Sequence, residues 1–200
     1  MKQMRYILTL IIIFNGLCSN SQTRLKYGDV IFDSSFTCNN SDSFNYGINN
    51  ICKSNNEFEL RLESIARPNG SRELIVIGYN KEKWYANKYL YLRGSVGYKR
   101  ETINILPLSE DFDYKIYNHI FKLTFDTLKN NRIFLLPNQD VLKLDGIILD
   151  GTLYKLTYKV NNKYRQYNFN NIESYFADNP KSKELQNYIK ITKYMYMLFN

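Results

Sequence analysis

Two stretches of strict alternation between apolar and polar residues constrain this chain more than any other feature of its sequence. In the first, Phe58, Leu60 and Leu62 alternate with Glu57, Glu59, Arg61 and Glu63. Successive side chains leave a strand in opposite directions, so a period of two marks a strand with one buried face. Arg67-Pro-Asn-Gly-Ser71 reads as a turn, because Asn-Gly accepts the positive φ of a tight reversal. Glu73-Leu-Ile-Val-Ile-Gly-Tyr79 is apolar on both faces, as a central strand should be. After a turn at 80–82, residues 84–93 alternate again. Trp84, Ala86, Leu90 and Leu92 take one face; Tyr85, Asn87, Tyr89, Tyr91 and Arg93 take the other. Three consecutive strands with short connections predict an antiparallel meander. A short fourth strand is expected at 102–106, beyond a flexible basic loop at 94–100.

The second alternating stretch sets Tyr154, Leu156, Tyr158 and Val160 against Lys155, Thr157 and Lys159. Asn161-Asn162 then turns the chain into residues 164–169, which predicts a C-terminal hairpin. Between the two stretches the period becomes helical. The acidic run at 109–113 suits a helix N-terminus, where carboxylates meet the positive end of the dipole. Phe112, Ile116, Ile120 and Leu123, with Phe121 and Leu128 slightly offset, recur at three- and four-residue spacing. They predict a helix to Lys129 whose apolar stripe covers the sheet. Residues 133–136 read as a short buried segment stopped by Pro137, and 141–149 shows no clear period. Asn170 or Asn171 is placed to cap a short helix through Ala177. A final helix begins near Ser182, with Leu185, Tyr188, Ile189 and Leu198 on its apolar side. The apolar last turns of that helix predict an end that is packed rather than free. The expected fold is α+β: a meander of three to four strands plus a C-terminal hairpin, covered by a central and a C-terminal helix. Residues 57–200 form this single domain, and the 200-residue length leaves no room for a second large one.

Residues 1–21 read differently. Lys2 and Arg5 precede a charge-free apolar run from Tyr6 to Phe14, Asn15-Gly16 breaks it, and Ser19 and Ser21 suit cleavage before Gln22. The run is far shorter than the roughly twenty residues of a membrane span, so an export signal is expected and no membrane span in the mature chain. Lipidation at Cys18 is disfavoured, because that processing needs a small residue before the cysteine and Leu17 is large. The expected location is periplasm, outer envelope or medium. In an oxidising compartment Cys38 and Cys52 are expected to form a disulfide, closing the polar, turn-rich loop between them. Residues 22–56 thus form an irregular extension.

The formal charge of +8 is spread among acids along the whole chain rather than gathered in a stripe, so no nucleic-acid partner is expected. The wealth of Tyr and Asn is partly a matter of AT-rich codons, because Lys, Ile and Phe rise with them. His119 is the sole histidine, and its helical neighbours Lys115, Ile116, Lys122 and Leu123 give it no catalytic partner. No catalytic residue, metal site or cofactor is predicted: nucleophile-elbow, zinc, P-loop and dinucleotide motifs are absent, and Asp145-Gly and Asp150-Gly lack EF-hand spacing. Glu57, Glu59 and Glu63, with Asp111 and Asp113, leave a carboxylate hydrolase as an alternative, although strand glutamates interleaved with Arg61 usually form a solvated face. The best binding candidate is the row Tyr85, Asn87, Tyr89, Tyr91 and Arg93, whose flat rings and polar donors suit a protein or glycan partner. The competing expectation is that this face packs as core.

Asp150-Gly-Thr-Leu-Tyr154, Tyr164-Arg-Gln-Tyr167, Asn171-Ile-Glu-Ser-Tyr175 and Trp84-Tyr-Ala-Asn-Lys-Tyr89 together resemble small exported proteins of unknown function from AT-rich Bacteroidota-type bacteria. The resemblance implies an exported α+β protein and no particular activity. The function expected is a non-enzymatic binding module, with a secreted carboxylate hydrolase or an immunity or inhibitor protein as alternatives.

Overall fold

The computed structural model describes residues 27, 29–34, 48–66, 71–81, 83–94, 97–103, 114–144 and 151–199; over 91–94, 97–103 and 114–118 the description is of the backbone. A 3-10 turn at Ile51–Lys53 precedes strands β1 (Phe58–Ala66), β2 (Arg72–Asn80), β3 (Lys83–Gly94) and β4 (Gly97–Ile103). Helix α1 (Tyr114–Asn130), a 3-10 turn (Gln139–Val141) and the hairpin β5 (Thr152–Val160) and β6 (Lys163–Asn170) follow. Helices α2 (Ile172–Asp178) and α3 (Lys183–Met197) close the chain.

The strands form one antiparallel sheet in the order β4-β3-β2-β1-β5-β6. The meander and the C-terminal hairpin are joined because β5 pairs with the free side of β1, from Phe58 opposite Val160 to Ala66 opposite Thr152. The fold is α+β, as the two alternating stretches require. One boundary differs from expectation. Gly94 pairs with Gly97, so β4 starts at Gly97 rather than at 102. β4 is an edge strand, where the charges of Lys99 and Arg100 are tolerated.

Register places Leu60 between Ile77 and Tyr158, and Leu62 between Ile75 and Leu156. These side chains, with Phe58, Trp84, Tyr167 and Phe169, form the core face of the sheet. Helix α1 covers it through Phe121, Phe125 and Leu128, whereas Ile120 and Leu123 are 41% and 53% exposed. The expected stripe through Ile120 and Leu123 is therefore corrected by a rotation around the helix. Phe125 decides the matter: its ring meets Phe58 at 5.1 Å and Trp84 at 5.4 Å, within the range of favourable aromatic pairs. Helix α3 docks through Leu185, Tyr188, Ile191 and Met195. Ser182 caps it by accepting from Leu185 N at 3.3 Å. Its final turn is packed on one side only, since Met195 is buried while Tyr194 and Met197 are exposed.

Residues 131–138 run irregularly through the core, and their carbonyls need partners there. Side chains supply them. Tyr167 donates to Ile133 O at 3.0 Å, Arg165 to Phe134 O at 3.3 Å and Leu136 O at 2.6 Å, and Tyr188 to Pro137 O. Tyr158 donates to Ile31 O at 2.5 Å and lies 3.1 Å from Phe134 O. The outer edge of β6 is closed in the same manner. Gln166 N donates to Asp33 Oδ2, Asn168 N to Asn138 Oδ1, and Asn170 N to Gln139 Oε1.

Candidate functional site: the strap-covered face of the sheet

The opposite face of the sheet carries the alternate residues. Cross-strand partners put Glu59 beside Gly78 and Lys159, Arg61 beside Val76 and Thr157, and Glu63 beside Leu74 and Lys155. On β3, Tyr85 pairs with Gly78, Asn87 with Val76, Tyr89 with Leu74 and Tyr91 with Arg72. The predicted row therefore lies on one face. Tyr85, Asn87 and Tyr89 are half-buried there, and the side chains of Tyr91 and Arg93 lie outside the described residues. Tyr85 and Tyr89 rest against Leu74 and Val76, together with Ile48.

This face is not a solvated one, contrary to the expectation for Glu59 and Glu63. Glu59 is 2% exposed and Glu63 8%. For Glu59 the reason is a strap, residues 48–56, that crosses the face and turns through Ile51–Lys53, with Asn50 Oδ1 accepting from Cys52 N at 3.0 Å; Glu63 has Arg72 Nη1 at 3.6 Å. The strap's polar groups converge on Glu59. Ser54 Oγ and Asn56 Nδ2 each donate to Glu59 Oε2 at 2.5 Å, and the Tyr85 hydroxyl donates to the same oxygen at 3.2 Å. Arg61 brackets the other oxygen, with Nε at 2.7 Å and Nη2 at 2.6 Å, and reaches Asn49 O at 2.8 Å. Lys159 Nζ donates to Ser54 O. A buried carboxylate needs such a full set of donors, because removing one partner would leave charge without solvent.

Tyr85 reaches this hub because position 78 is glycine. A Cβ there would collide with the Tyr85 ring, so the ring lies across bare backbone. Burial, then the neighbouring Glu59 charge, pushes the Tyr85 hydroxyl well above its ordinary pKa of 10.0. Burial lowers Lys159, with Glu59 opposing that shift.

Nothing in the sequence alone marks Ser54, Asn56 or Lys159 as part of a site. The detectable signal was the complementary alternation of Glu59, Arg61 and Glu63 with Lys155, Thr157 and Lys159, which becomes informative once β1 and β5 are paired. His119 is exposed on α1, and Asp111 and Asp113 lie outside the described residues. The expected disulfide partner of Cys52, Cys38, lies outside the described residues. Among the described residues no group of His, Cys, Asp or Glu side chains could hold a metal, and no helix is long and apolar enough to cross a membrane. No family model matches the chain, and no curated protein or solved structure matches it.

Proposed function

We infer that the protein is an exported, non-enzymatic binding module of the bacterial envelope or its medium, and that the tyrosine row on β3 is its contact surface for a protein partner. The observation that carries this reading is the fixing of Tyr85 by Gly78, Asn56 and Glu59. An aromatic side chain held rigidly on a sheet binds with little ordering cost, which is the usual property of interface anchors. Export is supported by the pattern of residues 1–21, and the resemblance to exported Bacteroidota-type proteins points to the same compartment. In that compartment Cys38 is the natural partner of Cys52, and the bridge would tether the strap from its far end.

The hydrolase alternative has weaker support, because both oxygens of Glu59 are taken up by strap, Arg61 and Tyr85 donors. An immunity or inhibitor role is a special case of binding, distinguished by the identity of what is bound. A photo-crosslinking residue at position 89 tests the reading in the native envelope. The expected result is one dominant adduct that is absent when the same residue stands at Gln186 on α3. Equal, diffuse labelling at both positions would contradict it.

A further inference from the structure

The β6 edge of the sheet carries a separate feature. Residues 138–144, anchored to β6 through Asn138 and Gln139, border a cleft of about 400 Å³ with β6 and Tyr175 of α2, within the size range of small-ligand sites. Its polar wall is Asn138, Gln139, Asp140, Asn168 and Asn170. Tyr175, Leu142 and Leu153 supply apolar surface. We propose that this cleft binds a neutral saccharide.

Three observations select that class. First, no described lining residue is cationic, and Asp140 places a carboxylate in the wall. A phosphorylated or carboxylated ligand would bring like charge to Asp140 with no described lining residue to offset it. Second, an extended peptide cannot add to β6 as a further strand in the ordinary way. The outward N–H groups of Gln166, Asn168 and Asn170 already donate to Asp33, Asn138 and Gln139, so strand addition would displace three bonds. Third, the amides left over have the right polarity. The oxygens of Asn138 and Gln139 are engaged, which fixes each planar amide and leaves its NH2 group as donor. No described residue bonds the Asn168 or Asn170 side-chain amides. Sugar hydroxyls donate and accept at once, so neighbouring hydroxyls match a wall of amides and one carboxylate, while the C–H face of the ring matches Tyr175 and the leucines.

Isothermal titration of the disulfide-bonded mature chain with maltose, cellobiose, lactose and di-N-acetylchitobiose tests this. Saturable heat is expected with at least one of them, at roughly millimolar affinity or better. Asn168→Ala should weaken it by about tenfold or more, equivalent to one lost good hydrogen bond. The backbone bond from Asn168 N to Asn138 does not depend on that side chain, so the variant should melt like the parent. Asn168→Asp, which keeps shape and removes the NH2 donors, should weaken binding in the same direction if the alanine variant fails to fold. Absence of saturable heat with all four sugars, or an affinity unchanged in a folded Asn168 variant, would overturn the proposal. Crosslinking at position 89 is unaffected by either result, so the two sites are judged separately.

Discussion

At the scale of single residues, the informative positions are those where one side chain's place depends on what another lacks. Gly78 is the clearest. The Tyr85 ring lies where a Cβ at position 78 would be, and its hydroxyl ends within bonding distance of Asn56 and Glu59. Gly78→Ala should push the ring away and release those bonds, costing roughly 1–3 kcal/mol in urea unfolding. In a Tyr85→Ala background the same substitution should cost much less, because nothing remains to be displaced. Equal costs in the two backgrounds would show that the ring does not depend on the glycine. None of this was legible in the sequence. The period-two pattern put Tyr85 on the correct face and marked Gly78 only as a small residue in a strand. Their contact depends on the β2–β3 register, which one sequence does not specify.

At the scale of elements, the strands were legible because their period is short and their turns are marked by Asn-Gly, Asn-Asn and glycine. Helix α1 was found but rotated, since the apolar residues Ile116, Ile120 and Leu123 form as regular an arc as Phe121, Phe125 and Leu128. Tertiary packing of the Phe125 ring chose between them. The 131–138 segment was seen as buried, but not how it is held. Tyr167 and Tyr188 hold it by donating hydrogen bonds to its main-chain carbonyls, Tyr158 lies against it while donating to Ile31 O, and donation requires the neutral phenol. Burial pushes Tyr158 up to about 12 from 10.0 and raises Tyr167 and Tyr188 as well. A folded-state pKa above the unfolded one gives stability that is full below the unfolded value and is lost as pH rises through the folded value. Stability should therefore be flat up to about pH 10 and fall steeply between about 10 and 12. Tyrosinate absorbance from these residues should appear together with loss of the fold. Ionisation of all the tyrosines near 10 with the fold intact would contradict the role assigned to them.

At the scale of the whole molecule, the sequence divides into an extension and a domain, yet the described parts of the extension lie on both faces of the sheet. Tyr27, Val30 and Phe32 pack against the core, with Asp33 N bonded to Tyr164 O at 3.0 Å. Residues 48–56 lie on the other face as the strap over Glu59. The chain between these two stretches contains Cys38, so a Cys38–Cys52 bridge would shorten the tether that keeps the strap in place. Such a bridge requires folding outside the reducing cytoplasm, and the binding role inferred above is that of an exported chain. Intact-mass analysis of the protein isolated under non-reducing conditions from its native cells tests this most directly. The account predicts a chain beginning at Gln22, recovered from the envelope or medium, lighter by two hydrogens than the fully reduced chain. A chain beginning at Met1, recovered from the cytoplasm with its thiols free, would contradict it.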